Sequence, residues 1–526
     1  MKRIEIFDSM LRDGAQGEGV AFSVIDKLNI VKALDAFGVD YIEAGNPGSN
    51  PKDIEFFQLV HDLKLKHAKL CAFGSTCRKG KVPQEDSNVL SLIDAHTDVV
   101  AIFGKTWDLH VLKVLNTTLE ENLRLVRDTV AYFKQAGKEV IFDAEHFIDG
   151  YKANADYSMQ VLQAADEAGA DVLCLCDTNG GATPEHIHDM VAKVCKAFPK
   201  QRVGIHCHND IGCAVACSMS AVEAGAVQVQ GTFIGIGERC GNADLSTLVP
   251  NLQLKMGLKC AGELTMLRDT ASKLSEICNK RLDRNKPYVG ESAFAHKGGM
   301  HIDGVAKVSR SFEHVPPESV GNARRFLMSE VSGRTTVLAK IAAIAPELSK
   351  DSPEVAQIVQ TTKEMEHNGY QYESADASFE LMALKILGRY HQHFKLGMYR
   401  TSGEFPHPDE NQSASAMLSV TVGDQQETTA TIGNGPVHAL DTALRKALKV
   451  FYPQLNKVRL VDYKVRVLTG KAATASRVRV LIESSDGELD WTTTGVSTDI
   501  IAASWEALSD SIEYYLHQKE GSSSCQ

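Results

Sequence analysis

The strongest constraint on this chain is a regular alternation between residues 3 and 258. Short β-branched or apolar runs recur eight times there, separated by longer segments of helical period. The runs lie at 3–7, 41–44, 69–73, 99–103, 139–142, 171–176, 202–207 and 227–233. Helical patterns at 25–37, 119–136, 157–168, 184–197 and 214–224 fill the intervals, several of them closed by glycine. Eight βα units in roughly 250 residues predict a (β/α)8 barrel, with a doubly wound sheet as the alternative. In such a barrel the chemistry sits at the C-terminal strand ends. The polar residues fall at those ends: Arg12 and Asp13, Glu43, Lys105 to Trp107, Asp143 and Glu145, Asp177 and Thr178, then His206 with His208, and finally Glu238 to Asn242.

Within that pattern the string His206-Cys207-His208-Asn209-Asp210 carries the most chemistry. Alternate strand residues share a face, so the two imidazoles project together and Cys207 turns away. Alone, such a pair is a weak signal, more often a surface or packing pair than a ligand site. A carboxylate from the end of the first strand, Asp13, would complete a set of intermediate hardness. That set suits Zn2+, Mn2+ or Co2+, or Mg2+ with water and substrate oxygens. Open positions on such an ion would accept the keto and carboxylate oxygens of a 2-oxo acid.

The chain has 526 residues, 43% hydrophobic, which calls for more than one core. Its net charge of −11 is dispersed, and no basic stripe points to nucleic acid or an anionic membrane. The start carries no pattern of a targeting segment, so a cytoplasmic protein is expected. The twelve cysteines show no C-x-x-C pairing and read as buried reduced thiols.

We divide the chain into a catalytic barrel (1–262), mostly helical subdomains (263–398), a C-terminal α+β domain (399–518) and a disordered tail (519–526). Residues 399–414, rich in Pro, Ser, Glu and His, read as an exposed linker. Beyond them a strand, strand, helix pattern occurs twice, predicting internal two-fold similarity. Strands are expected at 416–422, 428–432, 458–467 and 477–482, and helices at 436–450 and 498–517.

Five ordered motifs resemble those of the metal-dependent acyl-CoA:2-oxo-acid synthases, the family of 2-isopropylmalate, homocitrate and citramalate synthases. They are Leu11-Arg12-Asp13-Gly14-x-Gln16, Glu43-x-Gly45, Asp177-Thr178-x-Gly180, His206-x-His208-Asn209-Asp210 and Gly235-x-Gly237-Glu238-Arg239-x-Gly241-Asn242. The resemblance continues through Gly299-Met300-His301, Ser332-Gly333-Arg334 and Gly433-Asn434-Gly435-Pro436, over nearly the whole chain. Residues 71–76, 102–111 and 143–147 are most similar to the citramalate-forming branch.

The resemblance implies a divalent metal cofactor held by Asp13, His206 and His208, with Asn242 a nearby or fourth ligand. It implies acetyl-CoA as co-substrate and pyruvate as acceptor, with 2-oxoisovalerate as the alternative acceptor of a sister synthase. Arg12 would stabilise enolate and alkoxide charge, Glu43 orient Arg12, Thr178 bind the substrate carboxylate and Glu145 position the oxo acid or a water. His301 would help remove the acetyl methyl proton, with Asp303 holding its imidazole. Phe103 and Trp107 would shorten the pocket to fit pyruvate's methyl, or else simply pack the barrel.

The last domain resembles the allosteric domain of these synthases. Gly433, Asn434 and Gly435 open a helix and offer N–H groups suited to the carboxylate of an effector, for which isoleucine is the logical identity; a plain helix-start turn and an effector-free dimerisation module are the alternatives. A homodimer or higher homo-oligomer is expected. One departure stands out: where the family commonly has a tyrosine, this chain has Phe312, which can neither donate a hydrogen bond nor carry a proton. A metal-binding protein that has lost turnover is therefore the competing reading from another class.

Overall fold

A computed structural model describes residues 3–328, 332–403, 413–468 and 476–523, with side chains of the last helix described to residue 520. The chain forms two compact units, residues 1–294 with 314–324, and residues 295–313 with 325–526.

The first unit is the (β/α)8 barrel. Its strands are β1 (Arg3–Asp8), β2 (Tyr41–Gly45), β3 (Lys69–Ser75), β4 (Val99–Lys105), β5 (Glu139–Glu145), β6 (Val172–Asp177), β7 (Arg202–Cys207) and β8 (Gln228–Gly231). They pair in sequence order, and β1 closes the cylinder by pairing in parallel with both β2 and β8. A short ninth strand, β9 (Lys259–Cys260), extends β1 at its start. The doubly wound alternative is thereby excluded.

Local chemistry sets the helices. The helix Val24–Phe37 starts on a capping box between Ser23 and Asp26 and stops at Gly38 with φ 97°. The helix Pro184–Ala197 is capped by Thr183 with proline in its first turn.

The barrel has two differently used rims. Its interior is packed by Phe7, Tyr41, Cys71, Val99, Ala101, Ile141, Val172 and Cys174. At the N-terminal rim Arg202 is ion-paired with Glu5 and Glu139, and Tyr41 donates to Glu139 at 2.9 Å, which plugs that end. The C-terminal rim is left to the polar loop residues. Strands β3, β4 and β5 run two or three residues past their expected ends. Ser75, Lys105 and Glu145 are therefore still on the ladder, with Lys105 in register with Glu145.

The second unit contains β10 (Ala295–His296) paired with β11 (Arg325–Phe326), a group of helices, and two three-stranded antiparallel sheets. One sheet is β12 (Lys395–Gly403), β13 (Ala414–Val422) and β14 (Gln425–Gly433), followed by the helix Pro436–Leu448. The other is β15 (Arg459–Val467), β16 (Val478–Ser485) and β17 (Asp490–Ser497), followed by the helix Ile500–Ser523.

The internal two-fold similarity is present, but each repeat has three strands rather than two. Residues 399–403, expected as linker, are the second half of β12; residues 404–412 lie outside the described residues. Residues 519–523, expected in the tail, continue the last helix, and 524–526 lie outside the described residues. Leu418, Val420, Val480 and Ile482 bury against Leu440, Leu444, Leu508 and Ile512 in one shared core. No described helix is long and apolar enough to cross a membrane.

Candidate active site

β1 and β7 deliver the three residues expected to hold a metal. Asp13 Oδ2 lies 3.6 Å from His206 Nε2 and 3.6 Å from His208 Nε2, and all three side chains are buried. Ligand atoms around one ion at about 2.0–2.2 Å stand roughly 3–3.5 Å apart, close to this spacing. Gln230, inside β8, fixes the proton of His206. The Gln230 amide Nε2 donates to Asp143 Oδ1 at 3.2 Å, so its Oε1 is the acceptor for His206 Nδ1 at 3.1 Å. That tautomer leaves the Nε2 lone pair facing Asp13.

Asn242 donates from Nδ2 to Asp13 Oδ1 at 2.9 Å and to the Ile236 carbonyl at 3.1 Å, while its buried Oδ1 has no protein partner. Burial penalises the Asp13 charge, but the adjoining Arg12 guanidinium, with the two nearby imidazoles, outweighs it and holds the carboxyl well below the usual carboxylate range. An anionic carboxylate, two imidazoles and an unspent amide oxygen fit a divalent cation.

Glycines make this closeness attainable. At Gly237 (φ 155°) a Cβ would stand 2.2 Å from Asn242 Nδ2, and at Gly241 (φ 83°) 2.0 Å from the Gly235 carbonyl oxygen. Between them Arg239 ties the loops after β6, β7 and β8 together, donating to Asp210 at 2.8 Å and to the Thr178 carbonyl at 2.7 Å.

Arg12 lies beside the triad. It donates from Nε to Glu43 and from Nη1 to Asp13, each at 2.7 Å, and its guanidinium lies 4.0 Å from the centre of the Phe73 ring. Glu43 is fully buried, accepts also from Ser9 Oγ, and keeps Oε1 without a partner.

A cavity of about 220 Å3 opens onto these groups, lined by Arg12, Asp13, Gln16, Phe73, Phe103, Asp143, Glu145, Cys176, Thr178, His206, His208 and Glu238. It is smaller than the roughly 300–1,000 Å3 of sites for drug-sized ligands. Thr178 faces it and accepts from the His146 amide at 2.9 Å. Glu145 lines the wall in an ion pair with Lys105. Burial, then Glu43's negative charge, raises the pKa of Asp143.

Several expected residues stand elsewhere. Trp107 is not on the cavity wall; as the residue before the helix Asp108–Lys113 it stacks on His110 with ring centres 5.3 Å apart. Phe73, ring-stacked on Phe103 at 5.3 Å, is the second aromatic of the wall.

His301 belongs to the second unit, on the helix Gly299–Lys307, where Phe312 stacks on it at 4.2 Å and 21°. The same Phe312 ring covers Gly304, where a Cβ would meet it at 2.5 Å. Asp303 does not hold the His301 imidazole. Two positions along a helix face different directions, and Asp303 is engaged by Lys307 at 2.6 Å, Lys350 at 2.9 Å and Thr335 at 3.2 Å. At the turn before Pro436, the Asn434 N–H is taken by His438 Nδ1 at 3.1 Å, so it is not open to a ligand. Gly433 is pressed against Ala439.

Gln16, Phe73, Gln230, Glu238, Lys105 in its pair with Glu145, and Asp143 beside Gln230 are site residues that sequence reasoning did not assign. The two glutamines at alternate positions of a buried strand, Gln228 and Gln230, were the available signal for polar groups aimed into the barrel.

Comparison with known proteins agrees with this geometry. Residues 3–279 match the HMGL-like family, 288–370 the homocitrate synthase post-HMGL domain and 373–516 the LeuA allosteric (dimerisation) domain. The chain is 49% identical to an (R)-citramalate synthase of Aquifex aeolicus and 48% to one of Geobacter sulfurreducens. In each case 99% of both chains is covered. It is 32% identical to a 2-isopropylmalate synthase of Methanocaldococcus jannaschii, over 98% of this chain and 96% of that one. With the triad, the barrel and a carboxy-terminal allosteric domain in one chain, the protein belongs to the HMGL-like family and, within it, groups with the (R)-citramalate synthases.

Proposed function

We propose that this protein joins the acetyl group of acetyl-CoA to the keto carbon of pyruvate and hydrolyses the thioester, releasing (R)-citramalate and CoA. The observation that carries the proposal is the Asp13, His206, His208 triangle opening on a small cavity walled by two stacked phenylalanines. Asp13, His206 and His208, with Asn242 beside Asp13, would hold a divalent ion, Mg2+, Mn2+, Co2+ or Zn2+, which would supply Lewis-acid polarisation of the keto group.

The chain's own groups supply the rest. Arg12, immobilised by Glu43 and Asp13, presents its remaining N–H groups to the oxygen on which negative charge develops. Thr178 donates its hydroxyl to the oxo-acid carboxylate, since its oxygen lone pair already serves the His146 amide. Glu145 positions the substrate or the hydrolytic water. Phe73 and Phe103 limit the acceptor's side chain to a methyl, because steric exclusion separates substrates better than one methylene of attraction, worth about 1–3 kcal/mol. His301 is the group we assign to removal of the acetyl methyl proton, with no tyrosine hydroxyl at position 312 to assist it.

In this reading residues 1–262 are the catalytic barrel, 263–398 bring His301, and 399–518 form a regulatory and dimerisation domain in a homodimer. Isoleucine is the effector we assign to that domain, away from the occupied turn at Gly433 and Asn434, and the match to an allosteric (dimerisation) domain supports this.

The test is CoA release from acetyl-CoA with pyruvate, 2-oxobutyrate, 2-oxoisovalerate or 2-oxoglutarate in turn. Pyruvate is expected to give the highest kcat/KM; preference for 2-oxoisovalerate would reassign the protein to the 2-isopropylmalate branch. Calorimetry with isoleucine tests the effector, and absence of both heat and inhibition would remove it.

A further inference from the structure

Away from the barrel, the segment between the helix Asp376–Ile386 and β12 brings His391 and His393 against the last helix. Glu513, His517 and Glu520 on that helix are spaced i, i+4 and i+7, which places them on one face. One ligand atom from each of His393, Glu513 and His517 lies within 4.8 Å of the others.

His393 is 4% exposed and faces a carboxylate at each nitrogen: Nδ1 to Glu513 Oε2 at 2.8 Å and Nε2 to Glu520 Oε1 at 3.2 Å. Apart from this Glu520 ion pair, the buried Nε2 makes no hydrogen bond among the described residues. His517 is held from its other side by the His391 backbone: its Nε2 lies 2.8 Å from the His391 carbonyl and 3.3 Å from the His391 amide, and as donor to the nearer carbonyl it leaves the Nδ1 lone pair free. Glu513 also accepts from the His393 amide at 3.2 Å, which fixes the carboxylate's position.

A buried imidazole between two carboxylates has two ways to settle its charge. It can keep a proton, donated to Glu513 Oε2 at 2.8 Å. Or a cation can replace the proton, which needs a second neutral nitrogen donor close by. The neighbouring His517 imidazole supplies one. Ring centres of His393 and His517 are 4.8 Å apart with planes at 89°. Two imidazoles with a carboxylate form a borderline-soft set that takes Zn2+ or Co2+ well and Mg2+ or Ca2+ poorly.

We propose that His393, His517 and Glu513, with Glu520 beside them, form a second site for a divalent transition-metal ion, one that ties the start of β12 to the end of the last helix. Binding replaces the proton on His393 and leaves the two carboxylates balanced by a doubly charged ion. The site is independent of the barrel triad, sharing no residue with it.

The test is Co2+ titration of the metal-stripped full chain, followed by visible absorption and calorimetry. Two equivalents per chain are expected for the unaltered protein, and one for the double variant His206→Ala with His208→Ala. His517→Gln, on the half-buried residue, is likewise expected to reduce two equivalents to one, which avoids relying on the fully buried His393. Neither ion should show sulfur-to-cobalt charge transfer, because the remaining ligand-capable group among the described residues, Asp143 with Cys174 and Cys176, would give such a band. A single equivalent in the unaltered protein, or two equivalents retained in His517→Gln, would overturn the proposal; so would a thiolate band on the second ion.

Discussion

Arg12 and Glu43 form an ion pair, Nε to Oε2 at 2.7 Å, between residues 31 positions apart that sit at the ends of adjacent strands β1 and β2. Glu43 has no exposure to solvent, so its charge is neutralised by Arg12 in a medium where Coulomb attraction is weakly screened. The same guanidinium reaches Asp13. Glu43 thereby acts on the reaction through Arg12, holding fixed the donor that meets developing negative charge.

Glu43→Gln keeps the size of the side chain and removes the charge. Loss of a fixed oxyanion donor typically costs 100-fold or more, so we expect kcat to fall about 100-fold with a small change in the KM for pyruvate. Steady-state kinetics decides this: a rise in KM at unchanged kcat would mean that Arg12 serves binding only.

Gln230 controls the tautomer of His206 without touching the metal position. Gln230→Leu is expected to weaken Mn2+ binding by about 10–100-fold, the usual effect of losing an outer partner of a ligand histidine. Gln230→Glu, which keeps the acceptor, should retain most of the affinity. Calorimetry with Mn2+ checks both, and equal affinities for the Leu variant and the parent would show that His206 needs no orienting partner.

Phe103→Ala opens the cavity wall. The ratio of kcat/KM for 2-oxoisovalerate to that for pyruvate should rise at least about tenfold, since room for two methyl groups is gained where exclusion had operated. Trp107→Leu, at a residue outside the cavity lining, should leave the ratio unchanged. A shift caused by Trp107 and not by Phe103 would reverse the assignment of the pocket.

Asp8 provides a pH test of the barrel itself. Burial pushes its pKa from 3.8 up to about 7, against hydrogen bonds from the Met10 and Phe233 amides. A raised carboxyl pKa means the folded protein binds the proton more tightly than the unfolded chain. There is no penalty below about pH 4; the cost of ionisation grows as pH rises toward 7 and stays constant above it. Asp8→Asn should therefore gain stability relative to the parent as pH rises from 4 to 7, by on the order of 3 kcal/mol. Denaturant unfolding at several pH values measures this, and parallel profiles for the two proteins would contradict it.

The barrel was legible because its signal is repetitive: eight runs, seven of them leading into the polar residues named for one rim, leave little freedom for another topology. β12 and β17 were not. β12, Lys395 to Gly403, is mostly exposed, and β17, Asp490 to Ser497, is buried through Thr493, Thr494 and Gly495, with Trp491 its one large buried apolar side chain, so no apolar run marks either. Among site residues, Asp13, His206, His208, Arg12 and Glu43 came from strand-end position and motif. Phe73 escaped because which way an aromatic at a strand end points depends on how far the strand continues, here to Ser75. The pairing of Asp303 with lysines was equally invisible, since Lys350 comes from a distant part of the chain.

The central claim is that turnover depends on an ion held by Asp13, His206 and His208. Its most direct measurement is the rate of CoA release from acetyl-CoA and pyruvate, before chelation, after removal of divalent ions, and after addition of Mn2+. The account predicts activity that disappears on stripping and returns with Mn2+ in the parent protein but not in His208→Ala. Full activity in the stripped protein, or rescue of His208→Ala to the parental rate, would contradict it.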